Sequence, residues 1–79
     1  MYSSYIKFTR MMEEMEQAKS FSLTFWSRSD GAFITWKGCR MTSRHSSGGT
    51  VNIQAPHLLH PRKVRTCLIV AYNNKQVYH

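Results

Sequence analysis

A chain of 79 residues has room for one small domain, and at this size folding buries only about 60% of the surface that the unfolded chain exposes, so a large enzyme cleft is not expected. Hydrophobic residues at 42% and aromatics at 13% are too abundant for a chain that stays disordered by composition, and the net charge of +7 makes polyanions the natural partner class. Two cysteines, Cys39 and Cys67, do not build the disulfide framework of a small secreted domain, so reduced thiols are expected.

The first expected element is a helix. Ser3 and Ser4 suit N-caps, and Tyr5, Phe8, Met11, Met12, Met15 and Ala18 recur at three- and four-residue spacing up to about Lys19. Glu13, Glu14 and Gln17 fall outside that stripe. The three methionines suit an irregular core or a partner groove. The charges between Lys7 and Lys19 interrupt any apolar leader, and the longest apolar run, Cys67 to Tyr72, is too short to span a membrane.

After Lys19 the apolar period becomes two. Phe21, Leu23 and Phe25 alternate with Ser22, Thr24 and Trp26, the pattern of a strand, and Ser29-Asp30-Gly31 supplies a turn into a second strand from about Ala32 to Met41. With an even connection, Asp30-Gly31 or Arg28 through Gly31, opposed residues share a face. Ile34 and Trp36 then join Phe21, Leu23 and Phe25 in the core, while Trp26, Phe33, Thr35, Lys37 and Cys39 point the other way. A three-residue loop would reverse the assignment.

Residues 42–49 contain no apolar side chain and read as a loop. Thr50 to Gln54 reads as a short strand, and Ala55 to Pro61 as a connection in which Pro56 and Pro61 break any ladder. Arg62 to Tyr72 reads as one long strand, with Val64, Thr66, Leu68, Val70 and Tyr72 alternating against Lys63, Arg65, Cys67, Ile69 and Ala71. Asn73-Asn74 turns the chain into Lys75 to Tyr78. The expected class is α+β in one domain over residues 1–79. An amphipathic helix over residues 1–19 packs on a small, mostly antiparallel sheet of about five strands, compatible with a curled or partly open barrel.

The charge is unevenly placed. Lys7, Arg10, Lys19 and Arg28 are balanced by Glu13, Glu14, Glu16 and Asp30, whereas Lys37, Arg40, Arg44, Arg62, Lys63, Arg65 and Lys75 meet no acid from Gly31 onward. Such a one-signed stretch attracts phosphates. A solubilising surface, or a face for an acidic protein, has the same composition.

Phe21-Ser22-Leu23-Thr24-Phe25, the Ser/Gly loop, Thr50-Val51-Asn52-Ile53, Arg62-Lys63-Val64-Arg65 followed by Leu68-Ile69, and Tyr72-Asn73-Asn74-Lys75-Gln76-Val77 resemble short proteins of phages and mobile elements of gut Bacteroidota. The resemblance runs over residues 20–78. It implies a provenance in the host cytoplasm or a virion, and a virion component, assembly factor or nucleic-acid-binding accessory. It implies no catalytic or binding residue.

Four constellations bear on chemistry. Lys37, Arg40, Arg44, Arg62, Lys63 and Arg65 are candidate phosphate contacts, because Lys63 and Arg65 share one face of a strand and can track a backbone. Trp26 and Phe33 are candidate stacking surfaces for bases. Edge-strand cations also prevent sheet aggregation, and outward aromatics also serve subunit interfaces, so a homo-oligomer or a capsid-protein partner stands beside nucleic acid. Ser46-Ser47-Gly48-Gly49-Thr50 has no Walker spacing or lysine, and a flexible connection accounts for it. Cys39, His45, His57, His60 and Cys67 match no common zinc module, so neither metal nor cofactor is expected. No acid lies in the basic half, so the expectation is a non-enzymatic protein.

Overall fold

The computed structural model describes residues 4–45 and 49–79. Its first element corrects the helical reading. Ser4–Lys7 is a strand, β1, parallel to the last strand, β7 (Lys75–Tyr78), with Ile6 opposite Val77 and both side chains buried. Tyr5, assigned to the helical stripe, is 65% exposed. The helix α1 (Phe8–Gln17) starts after Lys7 with no side-chain cap, so Ser4 caps nothing, and Ser3 lies outside the described residues. Met11, Met12 and Met15 are buried as the spacing predicts, and Phe8 and Ala18 pack at the margin. The first turn of the expected helix goes to the sheet because β7 offers a ladder to Ser4–Lys7, a non-local gain that local periodicity does not contain.

Strands β2 (Phe21–Ser27) and β3 (Ala32–His45) form the expected hairpin. The connection is Arg28 through Gly31, closed by the Gly31 N–H donating to the Ser27 carbonyl at 2.8 Å, with Gly31 at φ +64°. Leu23 therefore faces Trp36, Phe25 faces Ile34 and Trp26 faces Phe33.

Beyond Trp36 the parity breaks. The register shifts between the pairs Phe21–Cys39 and Leu23–Trp36, around Gly38 at φ +66°, so that Trp36 and Cys39 are both buried while Lys37 stays outside. This glycine bulge corrects the outward assignment of Cys39: one extra residue on β3 reverses every later side chain. A second shift, between Met41 and Ser43, accompanies the exchange of partner from β2 to β4 (Thr50–Gln54). The expected loop is thus strand up to His45, held by its ladder to β4 rather than by apolar burial. Ser46, Ser47 and Gly48 lie outside the described residues.

Strand β5 (Arg62–Arg65) pairs with β4, and the following residues do not continue it as expected. Thr66–Leu68 form a 3-10 turn in which the Thr66 N–H and hydroxyl both donate to the Gly49 carbonyl, at 2.9 and 3.0 Å. Strand β6 (Ile69–Tyr72) then crosses to the far side of β2. The turn resets the alternation, and Val64, Ile69, Ala71 and Tyr72 are buried. Asn73 and Asn74, at φ 47° and 64°, make the tight turn into β7.

The result is an α+β domain whose seven described strands run in the order β1-β7-β6-β2-β3-β4-β5, antiparallel except for β1 with β7. The two strands beyond the expected five are β1 and the separate β6. The sheet curls but does not close into a barrel. Inside lie Phe25 edge-on to Trp36 (ring centroids 4.8 Å apart) and Phe21 against Tyr72 (5.4 Å), with the α1 methionines against them.

Candidate nucleic-acid interface

The site lies where the curled sheet stays open. The β2–β6 ladder covers only Leu23 to Phe25, and β5 pairs with β4 on one edge, so Trp26 and Ser27 face β5 without a main-chain ladder between them. A cleft of about 260 Å³ occupies this seam, with Phe25 through Ser29 on one wall and Arg62 through Arg65 and Leu68 on the other. Val64 turns inward, so Lys63 and Arg65 turn outward and are exposed, as period two requires. Trp26 stands between these cations and the open face of the sheet.

Arg62 crosses the seam. Its guanidinium donates to the Ser27 hydroxyl at 3.3 Å and the Ser29 hydroxyl at 3.4 Å, and lies 4.0 Å from the Asp30 carboxylate. It also sits 6.0 Å from the Phe25 ring centroid and 5.8 Å from that of Trp36. Ser27 is buried and donates its own proton to Asp30 at 2.8 Å. Arg62 is thereby a latch, with less freedom to meet a phosphate than its neighbours have.

The other expected cations are dispersed. Arg44 donates to Glu16 on α1 at 2.7 Å, which ties it to the helix side of the molecule. Arg40 is exposed on β3 opposite Gln54 of β4. Lys37 lies at the far end of the open face, in a groove with Ser22, Thr24, Thr35, Asn73 and Asn74. Among the described residues, Lys37, Arg40, Lys63 and Arg65 have no acid partner. Sequence reasoning missed Arg28, which joins the seam: it belongs to the charge-balanced first 30 residues, and only its place just before the β2–β3 turn hinted at it.

The aromatic pair faces outward. Trp26 and Phe33 are cross-strand partners with ring centroids 4.9 Å apart at 73°, and Phe33 is 63% exposed. Next to Phe33 the open face carries a shallow groove of about 650 Å³ floored by Thr24, Thr35 and Val70. The Thr24 and Thr35 hydroxyls bond each other at 2.9 Å across the strands. Comparison of the chain with family models, with curated proteins and with solved structures finds no match. No described helix is long and apolar enough to cross a membrane.

The two thiols sit in different surroundings, and the groove that holds Cys67 is also lined by His79. Cys39 is fully buried with its S–H donating to the Phe21 carbonyl at 3.2 Å, and burial pushes its pKa up to about 11. Cys67 is exposed in the groove, and His57 packs edge-on against Trp36 at 5.7 Å. Among the described residues no three His, Cys, Asp or Glu side chains gather as a metal site would require. Burial, and then the negative charge of Glu14, raises the Tyr72 hydroxyl above its ordinary range.

Proposed function

We propose that this chain is a small, non-enzymatic nucleic-acid-binding accessory protein of a phage or mobile element, meeting phosphates through the basic C-terminal half. The observation that supports this reading best is the seam, where exposed Lys63 and Arg65, with Arg28, flank Trp26 and have no acid partner among the described residues. Phosphate contacts supply sequence-independent affinity and the aromatic supplies a surface for a base. The provenance rests on the resemblance over residues 20–78. The test is fluorescence anisotropy of labelled oligonucleotides over a salt series, with the Lys63→Ala/Arg65→Ala variant beside the wild type. Removing two phosphate contacts is expected to flatten the slope of log K against log salt by about 1.4 for a single strand. An unchanged slope removes these residues from the interface.

A second reading, a virion structural or assembly protein, is favoured by a different region. Tyr5 and Tyr78, 65% and 50% exposed, lie on the β1–β7 edge, and Leu59 is 94% exposed on the connection between β4 and β5. These are the contacts a second copy or a capsid protein would cover. Light scattering over a range of concentrations separates the readings, because a strict monomer at high concentration argues against self-assembly.

A further inference from the structure

We infer that the nucleic acid taken by this interface is single-stranded and lies along the open face of the sheet, one base on Phe33, its backbone running from Lys63 and Arg65 toward Lys37. The inference rests on the nucleic-acid reading above and specifies its substrate.

Three observations carry it. The first is continuity. Trp26 lines the seam and its cross-strand partner Phe33 lines the groove, while Thr24 and Thr35 line both that groove and the one that holds Lys37. Cations therefore stand at both ends of one track, with the aromatic pair and two hydroxyls along it. From Trp26 back to Ser22 the track follows four strand residues, about 13 Å, which is room for about four stacked nucleotides.

The second is charge. Three of the four acids, Glu13, Glu14 and Glu16, sit on α1, which packs on the other side of the sheet, and the fourth, Asp30, is engaged with Ser27 in the turn. Among the described residues no Asp or Glu lines the track, so a polyanion meets cations and no acidic side chain along it.

The third is shape. A duplex is read by an element that enters its groove, an α-helix or a free β-ribbon. The one described α-helix presents three acids, and the β2–β3 hairpin is held inside the sheet between β6 and β4. The bases of a duplex are already stacked on one another, and nothing in it would occupy the exposed face of Phe33. The unstacked base of a single strand would.

The experiment is anisotropy with the full 79-residue chain and labelled probes of about twelve nucleotides: oligothymidylate, oligouridylate, an abasic strand of equal charge, and a duplex, over about 50–200 mM salt. The expected result is that at least one of the two base-bearing strands binds about tenfold more tightly than both the abasic strand and the duplex. Phe33→Ala, with Trp26 still in place, should cut that advantage over the abasic strand by about fivefold or more while leaving abasic binding and the far-ultraviolet circular dichroism unchanged. The inference is overturned, and the nucleic-acid reading kept, by a duplex that binds as tightly as the strands or by a Phe33→Ala variant that retains the advantage. Absence of binding to every probe overturns both.

Discussion

The Arg62 guanidinium donates to the Ser27 hydroxyl at 3.3 Å across a gap between β5 and β2 that no main-chain ladder closes. The contact joins the edge strand β5 to β2 in the middle of the sheet through side chains alone. It also separates Arg62 from Lys63 and Arg65, which are exposed and have no acid partner among the described residues. Arg62→Ala is expected to destabilise the fold by about 1–2 kcal/mol, through the lost hydrogen bonds to Ser27 and Ser29 and the lost packing over Phe25 and Trp36. The exposed pair with Asp30 adds little. Lys63→Ala and Arg65→Ala should each stay within about 0.5 kcal/mol of wild type. Urea unfolding of the three variants checks the contrast, and equal losses would refute the latch.

Gly38 sets the parity of β3 from a left-handed conformation at φ +66°. A Cβ added there would meet nothing nearer than the Pro56 Cγ at 3.8 Å, so the cost of Gly38→Ala comes from the backbone alone, about 1–2 kcal/mol. Gly38→Asn should cost less, since asparagine tolerates this region. Chemical denaturation of both variants tests the order; a steric origin would make asparagine the worse of the two.

Burial raises the Cys39 thiol from 9.0 to about 11. Between these values the unfolded chain releases a proton that the folded chain keeps, so stability should be intact below about pH 9 and fall as pH rises toward 11. Tyr72, also raised, acts in the same direction at higher pH. Cys39→Ala should flatten the fall at the cost of a small cavity, measured as urea midpoints against pH. In the native protein iodoacetamide should modify exposed Cys67 and leave Cys39 unmodified until denaturant is added.

The two asparagines of the last turn have unequal duties. Asn73 accepts the Ser22 N–H on Oδ1 at 2.9 Å and returns its own N–H to the Ser22 carbonyl at 2.9 Å, whereas Asn74 supplies only the left-handed backbone. Asn73→Gly is expected to cost about 1 kcal/mol, and Asn74→Gly to be neutral or slightly stabilising, since Asn-Gly is the favoured pair in such turns. Thermal unfolding of the two variants gives the comparison.

Much of the sheet is written locally. Phe21, Leu23 and Phe25 turn inward, and Trp26, Phe33, Thr35 and Lys37 outward, because period two and a four-residue turn leave no other arrangement once one face is apolar. The same alternation places Lys63 and Arg65 together on β5, and the methionine spacing puts α1 on the core. Each rests on neighbours within one element or one hairpin, which is the range over which a sequence pattern speaks directly.

Long-range partners decided the rest. Ser4–Lys7 became a strand because β7, from the other end of the chain, lies beside it, and Thr42–His45 extended β3 because β4 supplies a ladder that polar side chains do not announce. The Gly38 bulge and the Thr66–Leu68 turn each shifted parity, burying Cys39 and separating β5 from β6. Those same changes brought Arg28, Arg62, Lys63 and Arg65 to Trp26 and sent Arg44 to Glu16. The sequence alone determined a basic, half-apolar α+β chain with outward aromatics. Which cations those aromatics meet depended on how the curled sheet stops short of closing, because that distance is set by bulges and ladders between residues far apart in the chain.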